Sequence, residues 1–278
     1  LSIELGVNDS PLAGQEGKFY TSRQIRERLD REIRTNVALR VEDTDRPEVF
    51  KVSGRGQLHL GVLIENMRRE GFELQVSAPQ VIYKTIDGTR QEPVELLTID
   101  TPDEYQGTII EKLSKRKAIM QSMTPIADSF LRIEFMIPSR GLIGFRSQFV
   151  TDTRGTGKIS HRFSGYEPCK GQIDGRTKGA LISTEKGTTT GYSLDGLQPR
   201  GTLFLAPTAV VYEGMIIGEH TRSNDLDVNP TRPKKLTNVR SSGNDDALKL
   251  SPPTVLSLEE GLDWINSDEL IEVTPESI

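Results

Sequence analysis

The spacing of apolar residues in the first 80 positions predicts two helices and four strands. Apolar residues recur every four positions from Thr21 to Thr35, and Thr21 with Gln24 fits a capping box, so a helix is predicted there. A second helix is predicted for residues 57–70, because Gly71 supplies a C-terminal stop. Strands are predicted at residues 3–7, 37–42, 49–53 and 72–77. The order βαββαβ predicts a ferredoxin-like module over residues 1–79.

The same order of elements returns after a predicted linker at residues 80–91. The segment Thr101-Pro102-Asp103-Glu104 predicts a capping box with proline at the first helical position. Strands are predicted at residues 94–100, 118–123, 130–137 and 159–166, and helices at residues 101–115 and 141–151. Residues 92–168 are therefore predicted to form a second ferredoxin-like module, which repeats the plan of the first.

Short apolar runs separated by glycines replace this pattern after Cys169. Regular short strands with glycine turns are typical of a small antiparallel barrel or sandwich, so residues 169–278 are predicted to form a mainly-β C-terminal domain. A short helix capped by Ser257 and Glu260 and a strand at residues 269–273 are predicted to complete it. The predicted fold class is α+β, with two ferredoxin-like βαββαβ modules followed by a mainly-β domain.

A long polar loop, residues 223–251, interrupts this third domain. Structureless loops longer than about 12–15 residues are uncommon in compact domains unless they are functional or disordered. Predicted elements lie on both sides of the loop, so it is an insertion held at two ends, and its composition predicts that it orders only on a partner. A solvated connector and an RNA-contacting loop are both open interpretations. The side chains expected to contact RNA are Arg232, Lys234, Lys235, Asn238, Arg240, Ser241 and Ser242.

The formal charge is unevenly distributed along the chain. The net charge is −5, but residues 252–278 hold seven acidic residues and no Lys or Arg, whereas residues 104–178 hold thirteen basic residues against seven acidic ones. A local cationic field attracts polyanions even where the net charge is negative. The second module therefore carries either a phosphate-positioning patch or a solvated cationic face. The cations expected in the patch are Arg140, Arg146, Arg154, Lys158 and Arg162.

Catalytic motifs are incomplete in this chain. Gly155-Thr156-Gly157-Lys158 resembles the end of a phosphate-binding P-loop, but the motif needs Gly at position 152 and Ser or Thr at position 159, where Asp152 and Ile159 stand. The three histidines fall in three different predicted domains, so neither a metal set nor a Ser/His/Asp arrangement is indicated. We therefore expect no catalytic residue, no metal and no bound cofactor in these 278 residues.

The compartment follows from the single cysteine, Cys169, which excludes an intrachain disulfide and favours a reducing, cytoplasmic location. No apolar run approaches the roughly 20 residues that span a bilayer, so no membrane partner is expected. The sequence begins at Leu1, directly before a strand pattern, and we expect a monomeric fragment of a longer protein.

Several short segments resemble a known protein superfamily. Residues 53–60, SGRGQLHL, and 79–83, PQVIY, are similar to the third domain of ribosomal translocation-type GTPases of the elongation factor G group. Residues 138–146, PSRGLIGFR, resemble the matching segment of their fifth domain. Residues 213–219, EGMIIGE, and 236–243, LTNVRSSG, resemble only the BipA/TypA branch of that superfamily.

The resemblance implies a translational GTPase whose G domain, with its GTP and Mg²⁺, lies outside these residues. It also implies docking near the A site of the 70S ribosome, contacts with 23S rRNA and the acceptor end of a tRNA, and a part in 50S assembly under cold or stress. Two other classes stay open. A small-molecule-sensing module on paired ferredoxin-like domains would bind a metabolite without ribosomes, and a stand-alone enzyme would show turnover.

Overall fold

The computed structural model describes residues 1–127, 129–173, 175–234 and 249–278, and these residues form a mixed α+β fold with several sheets. The helices are α1 (Ser22–Thr35), α2 (Gln57–Glu70), α3 (Gln106–Lys115), α4 (Phe145–Asp152), α5 (Gly191–Leu197) and α6 (Leu258–Trp264). The strands are β1 (Ser2–Val7), β2 (Arg40–Asp43), β3 (Val49–Ser53), β4 (Leu74–Ser77), β5 (Lys84–Ile86), β6 (Thr89–Pro102), β7 (Ile119–Ala127), β8 (Phe130–Pro138), β9 (Lys158–Pro168), β10 (Ala180–Ser183), β11 (Gly187–Thr188), β12 (Gly201–Leu203), β13 (Val210–Val211), β14 (Ile216–His220), β15 (Leu226–Val228) and β16 (Leu270–Val273).

Two compact units divide the described residues. The first unit contains residues 1–175 and 257–278, and the second contains residues 176–256. No helix in the described ranges is long and apolar enough to cross a bilayer.

The first sheet is antiparallel, with the strand order β16-β4-β1-β3-β2. Ile3 and Leu5 alternate along β1 onto the face that α1 and α2 cover, and both are fully buried there. The predicted capping box at the start of α1 is confirmed. The Gln24 backbone N–H donates to Thr21 Oγ1, and the Thr21 backbone N–H donates to Gln24 Oε1 at 3.1 Å. Local side-chain bonding thus fixes this helix start.

The last strand joins the first sheet, which differs from the domain to which the sequence analysis assigned it. β16 pairs antiparallel with β4, so that Leu270 stands opposite Ser77 and Val273 opposite Leu74. Four side chains of α6 and β16 are buried in the core cluster of the first sheet: Leu258, Leu262, Ile271 and Val273. The predicted Ser257 capping box and the strand itself are both present. Their alternating pattern identifies the elements but not the sheet edge that they complete.

The second sheet has the order β9-β6-β8-β7, and the short strand β5 pairs with the start of β6. Helices α3 and α4 cover one face, where Leu97 and Ile99 of β6 pack with Phe145 and Phe149 of α4. β5 and β6 form a hairpin around Gly88, whose φ of 74° suits the turn. Part of the segment predicted as a linker therefore belongs to this sheet.

The predicted capping box at Thr101 is wrong. β6 extends through Thr101, which pairs with Leu131 of β8 and is fully buried. Its hydroxyl makes no hydrogen bond within the described residues. A 3₁₀ helix at residues 103–105 leads into α3 instead, without a side-chain cap. Long-range strand pairing overrides the local capping signal here.

Asp263 on α6 links the two sheets of the first unit. Its Oδ1 accepts hydrogen bonds from Gln57 Nε2 at the start of α2, at 2.5 Å, and from the Gly144 backbone N–H at the start of α4, at 3.1 Å. Ser147 donates to the other carboxylate oxygen at 3.3 Å. The backbone φ of Gly144 is 70°, a left-handed conformation that favours glycine. Helix α6 therefore holds both helix starts with one carboxylate.

The second unit has a separate core. Its larger sheet has the order β12-β14-β10-β15, and β11 pairs with β13. The core consists of Leu181, Leu197, Val211, Ile217 and Val228. β10 and β15 are parallel, so this sheet is mixed and not the purely antiparallel arrangement that the sequence predicted.

Candidate nucleic-acid interface

The helix-free face of the second sheet carries a polar row along its edge strand. Lys158 stands opposite Asp100 in the β6–β9 pair, and residues two apart along a strand share a face. Lys158, Ser160 and Arg162 therefore lie on one face and are exposed, while Ile159 between them packs against the core on the other. The strand period places two of the predicted cations in one line, with a hydroxyl between them.

Arg132 of β8 adds a third cation to this face, since it pairs directly with Asp100. Arg132 Nε and Nη2 donate to the two oxygens of Asp100 at 2.7 and 2.8 Å. These bonds, with the nearby Lys158 charge, lower the pKa of Asp100. Arg132 thus pairs with Asp100, and Glu134, whose charge also acts on Arg132, lies on the same face. With Lys158 and Arg162, the face therefore carries three cations against two carboxylates. Arg132 was not among the predicted contacts, although its alternation with the apolar Leu131 and Ile133, which pack in the core, marks it as facing the other side of the sheet.

The other cations of the second module do not join this row. Arg146 lies on α4, which packs against the opposite face of the sheet. There the hydrogen bond from His161 Nδ1 to Glu95 Oε2, at 2.5 Å, raises the pKa of His161, and the charge of Arg146 opposes that rise. Arg154 follows α4 in a left-handed conformation with φ of 49°. The structure thus distributes the predicted patch over two faces.

Arg140 forms an ion pair with the buried Glu92. Its guanidinium donates to both carboxylate oxygens of Glu92, whose side chain is 0% exposed, and to the carbonyl of Gly171. The Lys170 backbone N–H donates to the same carboxylate at 2.7 Å. Burial alone would raise the pKa of Glu92, but the bonds from Arg140 and Lys170 lower it below its ordinary value. This geometry gives Arg140 a structural partner and offers no support for a phosphate contact.

The polar loop is described only at its two ends. Thr190 Oγ1 donates to the carbonyl of Arg232 at 2.6 Å, and the Arg232 and Lys234 residues are exposed. After the gap, Gln198 Oε1 accepts from the Ser251 backbone N–H at 2.7 Å. Both ends are thus attached to the second unit. The predicted contacts Lys235, Asn238, Arg240, Ser241 and Ser242, and the expected ordering of the loop on a partner, lie outside the described residues.

The P-loop-like segment and the histidines have local structural partners. Gly157 lies against Phe149, since a Cβ added to it would stand 2.4 Å from the ring. His59 Nδ1 accepts from the Arg55 backbone N–H at 3.2 Å, and the buried His220 contacts the carbonyl of Asn224 at 2.6 Å. Within the ranges that the structure covers, no group of three or more His, Cys, Asp or Glu residues could hold a metal ion.

The part of the chain that contains the second sheet matches a known domain family. Residues 89–177, which contain β6 to β9 with α3 and α4, match the family model described as the elongation factor G C-terminus. The chain is therefore elongation factor G-like in this part.

The residues after the second sheet identify the family to which the chain belongs. Residues 178–278 match the model described as the TypA/BipA C-terminal domain. Relatives named large ribosomal subunit assembly factor BipA are 56% identical over 98% of this chain in Haemophilus influenzae, 54% over 100% in Escherichia coli K12 and 50% over 100% in a Synechocystis species. The chain belongs to the BipA/TypA family and corresponds to its C-terminal part. It spans about half the length of these relatives, 44% to 47%.

Proposed function

We propose that this chain is the ribosome- and RNA-binding C-terminal part of a BipA/TypA-like translational GTPase. Its relatives are named large ribosomal subunit assembly factors, which supports the 50S subunit as its partner. In this proposal it acts in the cytoplasm as a monomer, docks near the ribosomal A site, contacts 23S rRNA and the tRNA acceptor end, and aids 50S assembly under cold or stress. GTP and Mg²⁺ bind in the part of the family's chain that lies outside these 278 residues.

Two ferredoxin-like modules supply the scaffold in this proposal. The first sheet contains the order β4-β1-β3-β2 and the second the order β9-β6-β8-β7, so each βαββαβ segment arranges its strands in the same way. This common order supports the repeat that the sequence predicted. The second module covers one sheet face with helices and leaves the other, which carries Lys158 and Arg162, exposed.

The row of Lys158, Ser160 and Arg162 is the observation that carries the proposed docking surface. Lys and Arg contacts to phosphates supply sequence-independent affinity, and hydroxyls bond to phosphates or 2′-hydroxyls. Residues i and i+4 of a strand are about 13 Å apart, so Lys158 and Arg162 span about two phosphates of an extended RNA strand. The polar loop provides a second contact, with Lys234, Lys235 and Arg240 on phosphates and Asn238, Ser241 and Ser242 on bases or 2′-hydroxyls.

The docking surface is tested by co-sedimentation with 50S subunits across a salt series. Lys158→Ala/Arg162→Ala should weaken binding and reduce the slope of log K against log salt by about 1.4–1.8, because each phosphate contact contributes roughly 0.7–0.9. Arg31→Ala/Arg34→Ala, on the exposed side of α1, removes the same charge and serves as the matched control. Equal losses in both variants would contradict a local surface.

The loop is tested separately with Lys234→Ala/Lys235→Ala/Arg240→Ala. In the full-length protein this variant should sediment less with ribosomes and should fail to support growth in the cold. Unchanged sedimentation together with unchanged growth would remove the loop from the proposal while leaving the β9 row in place.

Small-molecule sensing gains no support from the surface of the first module. Two concavities share Val37 and Arg55 in their lining, and both are largely open to solvent. Ligand sites usually enclose most of a small molecule. RNA docking therefore remains the function that the described geometry supports best.

A further inference from the structure

Strand β9 presents aromatic side chains on the face opposite its cationic row. Phe163 is 61% exposed and lies outside the core cluster of the second sheet. Its ring centroid is 5.7 Å from that of Tyr166, with the rings inclined at 67°. Tyr166 therefore packs against one side of the Phe163 ring, and much of the Phe163 side chain stays exposed to solvent.

A cation accompanies this aromatic pair. Lys84 of β5 places Nζ 4.3 Å from the ring centroid of Tyr166. The sheet register explains the approach, because Lys84 and Pro168 both stand opposite Gln91 of β6, on its two sides. A Lys ammonium over a tyrosine ring gains a favourable cation–π contact and leaves donor hydrogens for a further anion.

The aromatic pair and the cationic row lie on one edge strand. In the described part of the chain β9 pairs only with β6, so its outer edge carries no strand partner. A single exposed apolar side chain needs no functional explanation. Phe163 is different in its setting, because Arg162 is adjacent to it on the other face and Lys84 lies beside its aromatic neighbour.

We propose that Phe163 and Tyr166 form a stacking subsite for an unpaired RNA base, with Arg162 and Lys84 holding the phosphates on either side of that nucleotide. Proteins that bind single-stranded RNA combine aromatic platforms for bases with cations that follow the backbone. The strand crosses the outer edge of β9, so that its base lies on the aromatic face and its backbone turns toward the row of Lys158 and Arg162. This inference rests on the proposed RNA-binding function and names the class of nucleotide that the surface takes.

The experiment measures binding of the full 278-residue chain to a fluorescein-labelled single-stranded RNA of about 12 nucleotides by anisotropy. Phe163→Leu keeps an apolar side chain but removes the ring, and it should weaken binding about tenfold or more, as expected for one stacked base. Phe163→Tyr should bind like the parent. Leu58→Ala, which alters a 67% exposed residue on α2, is the matched control and should have no effect.

The outcomes separate the subsite from the wider proposal. If Phe163→Leu binds RNA like the parent while Lys158→Ala/Arg162→Ala is weakened, the stacking subsite is wrong and RNA docking stands. If neither variant is weakened, both the stacking subsite and the docking row on β9 are wrong. If Phe163→Leu reduces 50S binding without changing affinity for the RNA, the aromatic pair contacts a protein and the subsite is again refuted. Unchanged thermal unfolding of each variant confirms that the fold is intact.

Discussion

Replacing Leu262 by alanine should destabilise the first module, although the residue lies near the other end of the chain. Leu262 on α6 is 1% exposed and shares a core cluster with Ile3 and Leu5 of β1. Truncating a buried leucine to alanine costs about 2–5 kcal/mol, from lost burial and the cavity that remains. With a urea slope of roughly 2 kcal/mol per M, the unfolding midpoint should fall by about 1–2.5 M.

The only tryptophan of the chain, Trp264, ends α6 and reports on this transition by fluorescence. The matched control is Val211→Ala, which truncates a fully buried residue in the core of the second unit. It should leave the Trp264 transition in place while lowering the stability of the second unit, followed by hydrogen exchange of β10 and β14. The reasoning is refuted if Val211→Ala moves the Trp264 midpoint and Leu262→Ala does not.

Three further predictions concern charged groups. Arg140→Ala leaves the fully buried Glu92 carboxylate without its main partner, so a loss of about 3–5 kcal/mol is expected in urea unfolding, and adding Glu92→Gln should recover part of it. The raised pKa of His161 means that its pair with Glu95 contributes stability that is full below the unfolded pKa of about 6.5 and is lost as the pH rises through the folded pKa. The stability difference between the parent and His161→Gln should therefore shrink from pH 6 to pH 9 in urea titrations, and a constant difference would contradict the pairing. Calorimetric titration with GTP and Mg²⁺ should give no saturable binding to this chain; a measurable affinity would place a nucleotide site inside it.

Local signals in the sequence predicted the elements well. Thr21 and Ser257 bond to backbone groups three residues away, so their capping boxes could be read from short segments. Lys158 and Arg162 share a face because β9 begins at Lys158, one residue before the predicted strand. The features that the sequence did not predict depend on contacts with residues that are distant in the chain. Thr101 extends β6 and pairs with Leu131 of β8, and no local sequence pattern predicts that pairing.

The residues of the candidate site likewise fall into those that the sequence predicted and those that only the structure shows. The cation at Arg140 was visible in the sequence, but its partner Glu92 is 48 residues away and removes it from the surface. The stacking pair was missed because Phe163 follows the alternation of an ordinary half-buried strand, and only the structure shows that the core ends before it. Composition identifies candidate contacts, whereas burial decides which of them can reach a ligand.

The pairing of β16 with β4 has a consequence for biosynthesis. The other four strands of the first sheet lie between Ser2 and Ser77, yet the strand that covers the β4 edge is made almost two hundred residues after β4. Until then the nascent module presents an unpaired edge, the feature through which partly folded chains associate wrongly. A product that stops before Leu270 retains this open edge permanently. Completion of the first sheet therefore requires synthesis up to Val273, and products that stop before β16 should be selectively prone to aggregation and proteolysis.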